Sequence, residues 1–435
     1  HPQDGAHRLD SRDDRHRPHR ADLQAMKPER APAGAGLRAG LGKTATLLGK
    51  LFEPRHVFDN AFRNGLLEIG GRERSSGQDL NLLYAGSGRN LAWILNRVFA
   101  DFTVRRNDRL HNPLRLRKGI RALAPRADLL IIDSGAVTAR LAQRDAMLKV
   151  PRSVRQRLSI KREWPATEAA FEREARNEAK NYISKYGYTC SFSTGARDYF
   201  IFYHRFYWPS RKRSQLHEAH IVPRDEFLAE CQRGYLIQIR HEGEVRAAAL
   251  LQRFGRHLAC VWGGTAEAES PHLEGLWEVL DYCTVRHAWD ARCRTLDFGP
   301  SRPFLYDGVL QYKKKWGGRI GFGRMPRTNL RFEPLRLTPA VAGFLGSTGL
   351  IVRDPAGPVA KLLFDDQPCT ASDLDARFQR IAAAGIARYE VFGLHGFGDG
   401  ARRWAVESPH RVALVDLSGS ARPETEFCRP AAVQL

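Results

Sequence analysis

Thr295-Leu-Asp-Phe-Gly-Pro-Ser-Arg-Pro-Phe-Leu-Tyr-Asp-Gly-Val-Leu-Gln-Tyr-Lys-Lys-Lys-Trp-Gly-Gly318 is the stretch on which the fold turns. It reads as a buried strand, a Gly-Pro break, a polar loop and a short amphipathic segment with three lysines. A strand that ends in such a loop brings Ser301, Arg302, Tyr306, Asp307 and lysines to one rim. Strands position function and the segments that follow them carry it.

The pattern around this stretch is well defined. Tyr188 to Ser193 is strand-like, and Arg197 to Tyr207 is an aromatic helix expected to stop near Pro209. Asp225 to Cys231 is a short helix. Tyr235–Arg240 and Val245–Gln252 form a hairpin across His241-Glu-Gly-Glu244, and His257–Trp262 pairs next. A helix from about Leu273 to Trp289 then leads to the strand at Thr295–Phe298. The order β, α, α, β, β, β, α, β, α predicts an α/β (α+β) protein, a mixed sheet flanked by helices.

On the N-terminal side, Leu80–Ala85 and Ala127–Asp133 read as strands and Leu91–Phe99 as an amphipathic helix. Gly86-Ser-Gly88 before that helix could hold a phosphate. It lacks the third glycine of a dinucleotide fingerprint, so a structural turn is the better reading. Glu168–Tyr186 has helical spacing, with Phe171, Ala175 and Ala179 near one face. On the C-terminal side, strands at Leu350–Arg353, Val359–Phe364, Tyr389–Phe392 and Val412–Val415, with a helix at Ser372–Ala384 ended by Gly385, form a small extra α/β unit. We read its role as packing or partner contact.

Residues 1–45 are expected to form a disordered tail; up to residue 40 it is polar and almost without large apolar side chains. Met26 opens a plausible native start, so residues 1–25 are expected to be upstream sequence or a fragment boundary. His1, His7, His16 and His19 then lie in a solvated tail. Gly40-Leu-Gly-Lys-Thr44 is no phosphate loop, because the required first glycine is Leu37 and no strand precedes it.

The chain has 435 residues, 43% hydrophobic and 10% aromatic, which suggests two or three domains of ~150 residues each. No apolar run of about 18 residues suggests a membrane span, and the cytoplasm is the expected location. With 69 Lys and Arg against 48 Asp and Glu, the net charge is +21 and favours polyanions. No nucleic-acid-binding module is recognisable. Seven cysteines without a CxxC pair read as buried free thiols in a reducing compartment, not as a disulfide framework or a zinc site.

Three blocks carry a resemblance. Tyr203-His-Arg-Phe-Tyr-Trp-Pro209 with Arg211-Lys-Arg213, Gly234 to Ala249, and Asp297-Phe-Gly with Ser301 to Gly308 and Tyr312 to Gly317 resemble the GNAT-like acyltransferases of the Fem-related branch. The resemblance implies a GNAT-like mixed sheet, with two GNAT-like halves and the extra C-terminal unit. Residues 46–165 would then be a degenerate first half, 166–332 the acyltransferase domain and 333–435 the C-terminal unit. It also implies acyl-CoA, such as acetyl-CoA, as co-substrate and no metal. The acceptor would be an amine or hydroxyl on a small molecule or on a glycan or peptide precursor of the cell envelope. An aminoacyl-tRNA donor and an inactive scaffold that binds polyanions are the alternatives. The stretch from Gly263 to Gly275 has glycines but no arginine, and it carries acids that repel phosphate.

Acyl transfer needs an oriented acceptor, a proton acceptor and donors toward the oxyanion. On this reading Asp307 is the base, Tyr306 or Tyr312 the acid, and Lys315 assists. Tyr203, Tyr207, Arg211, Arg302 and Lys313 bind substrate. Trp262, Gly263, Gly264 and Thr265 contact the acyl-CoA. Lys313 and Lys315 are two apart, so on a helix they do not share a face. Each assignment has a plainer competitor. The lysine run can be a solvated face, Asp307-Gly308 a turn, and Tyr203 and Tyr207 packing residues. Glu267 and Glu269 are best read as a solvated loop, and His257 and His287 as structural.

Overall fold

The protein is described from a computed structural model covering residues 64–429, apart from 87, 89, 111, 136–146, 216–221, 267–273, 324–328 and 366–367. The expected tail, Gly40–Thr44 and the pair Glu267 and Glu269 lie outside the described residues.

The chain enters as a hairpin, β1 (Asn64–Glu73) and β2 (Asp79–Gly86), followed by helix α1 (Leu91–Val98), β3 (Phe99–Leu110), helix α2 (Pro113–Leu123), β4 (Leu129–Asp133) and β5 (Leu148–Pro151). In β4, Leu129 and Ile131 face one core, and Leu130 and Ile132 face another. A continuous apolar run is what an inner strand covered on both faces requires. Asn112 caps α2 by accepting from the Leu114 amide at 2.8 Å.

The next run is β6 (Val154–Ser159), helix α3 (Arg173–Tyr186), β7 (Thr189–Ser193), and a helical stretch made of α4 (Ala196–Ile201), a π segment (Phe202–Tyr207) and α5 (Trp208–Gln215). Helix α6 (Arg224–Cys231), β8 (Tyr235–His241), β9 (Glu244–Phe254), β10 (His257–Thr265), helix α7 (Leu276–Asp290), β11 (Thr295–Ser301), helix α8 (Gly308–Lys315) and β12 (Arg319–Gly321) complete it. The β8–β9 turn places Glu242 and Gly243 at φ 52° and 80°, the left-handed pair that matches strand twist in a tight hairpin.

Two expectations are corrected here. The aromatic helix does not stop at Pro209 but continues to Gln215. The widened π turn ends at Tyr207, two residues before Pro209, so the proline falls in the first turn of α5, where its missing N–H costs little. The Gly-Pro break does not end the strand either. β11 runs to Ser301 and takes up Gly299-Pro300 in a register shift against β6, and bulges tolerate both residues.

The third run is β13 (Asn329–Pro334), helix α9 (Pro339–Thr348), β14 (Leu350–Asp354), β15 (Gly357–Phe364), helix α10 (Ala371–Ile381), β16 (Arg388–Gly393), helix α11 (Ala401–Glu407), β17 (Val412–Asp416) and helix α12 (Pro423–Cys428). The cap of α10 is Thr370, in a capping box with Asp373, and the helix closes at Ala382, before Gly385.

Three mixed sheets result, giving the expected α/β class. Their strand orders are β3-β1-β2-β4-β13-β5, β12-β6-β11-β10-β9-β8-β7 and β14-β15-β16-β17. The first two sheets share a pattern: an antiparallel set, one parallel step (β2 to β4, β10 to β11), then antiparallel neighbours. They also exchange strands. β6 precedes residue 166 yet lies in the second sheet, and β13 follows that sheet in sequence yet pairs with β4 and β5 in the first. The third sheet buries Val352, Val359, Leu363 and Phe392 against the first sheet's core, and Ile351, Leu362 and Phe364 in a core shared with Leu305 and Leu310.

All seven cysteines are free. Cys231, Cys293 and Cys369 are buried as expected, but Cys190 is exposed on the sheet-edge strand β7. Among the described residues no helix is long and apolar enough to cross a membrane.

Candidate functional site

Strands β10 and β11 run parallel for only three residue pairs, His257–Thr295, Leu258–Leu296 and Ala259–Asp297. They then part. Each strand has a register shift at that point, between Cys260 and Trp262 in β10 and between Asp297 and Pro300 in β11. Beyond Ala259 the edge of β10 that faces β11 has no strand partner among the described residues, and at its far end Ser210 takes up the Thr265 backbone. Where two strands part, backbone groups no longer bond each other and can meet a ligand.

The parting is held open by a pinned carboxylate. Asp297 receives Arg155 Nε at 2.7 Å, Arg157 Nε at 3.0 Å and the Gly299 amide at 2.9 Å. Burial alone would raise this carboxyl, but the Arg155 and Arg157 contacts bring it below the ordinary range. Gly299 sits at φ 82°. A Cβ there would lie 3.1 Å from the Cys260 carbonyl oxygen and 3.9 Å from Lys313 Nζ, so strand edge and lysine converge on the one residue without a side chain.

Helices α7 and α8 supply the titratable groups. Lys313 donates to the Pro300 carbonyl at 2.8 Å, and burial lowers its ammonium to about 8, against the pull of the Asp281 and Asp297 carboxylates. Burial raises the Asp281 carboxyl to about 7. The Tyr312 hydroxyl lies beside Asp281 and the Trp316 indole, and burial, then the Asp281 charge, push it well above the usual phenol range. It makes no hydrogen bond of normal geometry, and a buried hydroxyl left so needs a reason. Cys260 is pushed up to about 12 by burial and stays a thiol. As whole residues Asp281, Tyr312 and Lys313 are intermediate in burial, so they stand at the margin of the core, and the parting of the strands beside them is the candidate cleft.

Of the residues expected from sequence, Tyr312 and Lys313 meet here. Arg211 lies over the Tyr207 ring at 5.6 Å, near enough for its charge to act on Cys260 and Lys313. Trp262, two residues beyond Cys260 on β10, is stacked on Phe227 at 4.6 Å and packs in the aromatic cluster around it. Tyr207 is buried, and its hydroxyl accepts from the Val222 amide at 3.3 Å. Tyr203 is buried and donates to the Val222 carbonyl at 3.1 Å.

The others stand elsewhere. Asp307 is the N-cap of α8 and accepts from the Leu310 amide at 2.9 Å; burial raises its pKa against the pull of Arg302 and Arg97. Arg302 lies over the Trp93 ring at 4.4 Å. Tyr306 packs against the core shared with the third sheet. Lys315 is two residues from Lys313 on α8 and so faces the other way; its carbonyl accepts from the Glu172 amide.

The expected acyl-CoA positions are crowded. A Cβ at Gly264 would lie 2.4 Å from the Phe206 carbonyl oxygen, and one at Gly263 would lie 2.8 Å from the Trp277 ring. Ser210 Oγ bridges the Thr265 amide at 3.0 Å and its carbonyl at 3.2 Å. At the end of β2, buried Asp133 accepts from Tyr84 Oη at 2.9 Å, Asn90 Nδ2 at 3.0 Å and Arg152 Nη2 at 2.6 Å.

Asp281 was missed from sequence. It lies three residues before buried Thr284 and seven before buried Ala288, on an inward stripe at helical spacing. An acid in that stripe was the available signal. Cys260 and Gly299 were read only as core thiol and turn glycine.

No family model and no curated protein matches the chain. Distant matches exist among solved structures. A crystal structure of FemX is 13% identical, covers 58% of this chain and 80% of its own, with a TM-score of 0.33. The C-terminal DUF2156 domain of a putative lysylphosphatidylglycerol synthetase from Agrobacterium fabrum is 10% identical, covering 61% and 80%, TM-score 0.31. L-PGS from Bacillus licheniformis is 11% identical, covering 63% and 87%, TM-score 0.30. Identity and superposition at this depth carry no chemistry over to this chain.

Proposed function

We propose that the chain is an acyltransferase that moves an acyl group from a thioester or ester donor to an amine or hydroxyl in the cleft where β10 and β11 part. The observation that carries the reading is the convergence of Asp281, Tyr312 and Lys313 at Cys260 and Gly299, where β10 and β11 part. Asp281, at about 7, is matched to accept a proton near neutral pH. The acceptor nitrogen or oxygen attacks the donor carbonyl as Asp281 takes its proton. Amides of the β10 edge and the Lys313 ammonium stabilise the oxyanion. When the intermediate collapses the donor's C–S or C–O bond breaks, and Lys313 returns a proton to the leaving group. Tyr312, with its hydroxyl beside Asp281, holds or relays the acceptor's proton. The base is thus Asp281, with Asp307 left as a helix cap.

With acyl-CoA as donor, the protein releases free thiol from acetyl-CoA when given an amine acceptor, and Asp281→Asn abolishes release while the fold persists. A wild-type rate no higher than the acceptor-free background with acetyl-CoA removes that donor. A second reading, an aminoacyl-tRNA donor, is favoured by one observation. Phe206, Trp277 and Ser210 occupy the space around Gly263, Gly264 and Thr265 where a pyrophosphate would need backbone amides. Under that reading transfer requires charged tRNA and falls steeply with salt. Should neither donor be consumed, the inactive scaffold that binds polyanions is what remains.

A further inference from the structure

On the opposite side of β9 from β10, a separate cavity of about 170 Å³ lies between the α4–π stretch and strands β8 and β9. Its floor is apolar, formed by Phe202, Phe206, Val245 and Ala248. Its rim carries both signs of charge, Asp198 and Glu244 against Arg205. None of the cleft groups lines it.

The polar groups are oriented. Gln238 is only 4% exposed, and its side-chain carbonyl accepts from Ser191 Oγ at 3.3 Å and Arg240 Nη2 at 3.0 Å. A carbonyl fixed by an arginine donor leaves the amide nitrogen, a donor, as the part of Gln238 that lines the cavity. One oxygen of Asp198 accepts from Ser193 Oγ, which leaves the other oxygen to serve a ligand. Glu244 is engaged by Arg246 Nη2 at 3.0 Å, so Asp198 is the stronger partner for a cation.

The size limits the occupant. At ~30 Å³ per water, the cavity has room for about six waters, the scale of one amino acid and well short of a nucleotide or a glycan. We propose that it binds a free α-amino acid with a short apolar side chain. The ammonium meets Asp198, the carboxylate meets Arg205 and the Gln238 amide, and the side chain rests on Phe202, Phe206, Val245 and Ala248. The π segment explains why the cavity exists, since widened turns open space beside a helix and recur at functional sites. This pocket stands whether or not the cleft transfers an acyl group.

Titration calorimetry on the full chain tests it with L-leucine, with leucinol, which lacks the carboxylate, and with 4-methylpentanoate, which lacks the amine. We expect saturable one-to-one binding of leucine, with each analogue at least about tenfold weaker. Asp198→Asn keeps the Ser193 hydrogen bond and removes the charge. It weakens leucine and leucinol but not the acid. Arg205→Gln, at an exposed position, weakens leucine and the acid but not leucinol. No saturable leucine heat at millimolar concentration overturns the proposal. So does leucine binding of equal strength in the wild type and either variant, with circular dichroism confirming that both are folded.

Discussion

Replacing Asp281 with Asn should make the protein more stable and, on the function proposed above, inactive at once. The carboxyl stands at about 7 against an ordinary value of 3.8, with burial as the main cause. Its ionised form is therefore disfavoured in the folded state relative to the unfolded chain. The sign follows from linkage. Below pH 3.8 both states hold the proton and Asp281 imposes no ionisation cost. Between pH 3.8 and 7 that cost grows, and above 7 it is complete. The shift corresponds to about 4 kcal/mol at most at 1.36 kcal/mol per unit, a ceiling because Asp281 as a whole residue is only intermediate in burial. The isosteric amide never ionises and avoids the cost. Urea unfolding of wild type and Asp281→Asn at pH 4, 6 and 8 reads it directly. The variant's advantage should be smallest at pH 4 and largest at pH 8, with unchanged m values. An advantage that does not grow with pH refutes the assignment of Asp281 as a buried, raised carboxyl.

Other consequences are open to measurement. Transfer rate against pH should be bell-shaped, with a rising limb near 7 from Asp281 and a falling limb near 8 as Lys313 loses its proton; a flat profile across this range contradicts both roles. Lys313→Met should lower kcat by about 10²–10³-fold with little change in KM, and Lys315→Ala should leave both unchanged in steady-state kinetics. Gly299→Ala places a Cβ at φ 82°, 3.1 Å from the Cys260 carbonyl. It should cost about 1–3 kcal/mol in denaturant unfolding and close the cleft to substrate. Asp307→Ala should cost about 1 kcal/mol of stability by loss of the α8 cap and change kcat/KM by less than tenfold.

What could be read from sequence follows from the range of the forces involved. The β8–β9 hairpin was legible because its turn chemistry and strand period are local, as were β2, α1, β4 and the segment Gly308–Lys315. The strand exchange was not. Val154–Ser159 pairs with Thr295–Ser301 across more than a hundred residues, and no local pattern specifies such a partner. Pro209 and Gly299-Pro300 misled for a related reason. Each breaks a regular element, yet a π turn and a bulge absorbed them. In the site, Tyr312 and Lys313 carried a local signature and do meet. Asp307 had the same signature and is a cap, because a carboxylate one residue before a helix satisfies the first-turn amides whatever else it does. Asp281 lies some thirty residues before Tyr312 and Lys313, and only the packing of α7 against the parted strands brings the three together.

The central claim is that the parted edges of β10 and β11, with Asp281 and Lys313, perform acyl transfer. The most direct measurement is transfer of a radiolabelled acyl group to an amine acceptor, from acetyl-CoA and from charged tRNA in parallel, by the wild type and folded Asp281→Asn. The wild type should label the acceptor from one of the two donors and the variant should not. Labelling by the variant at the wild-type rate, or by neither protein from either donor, contradicts the account.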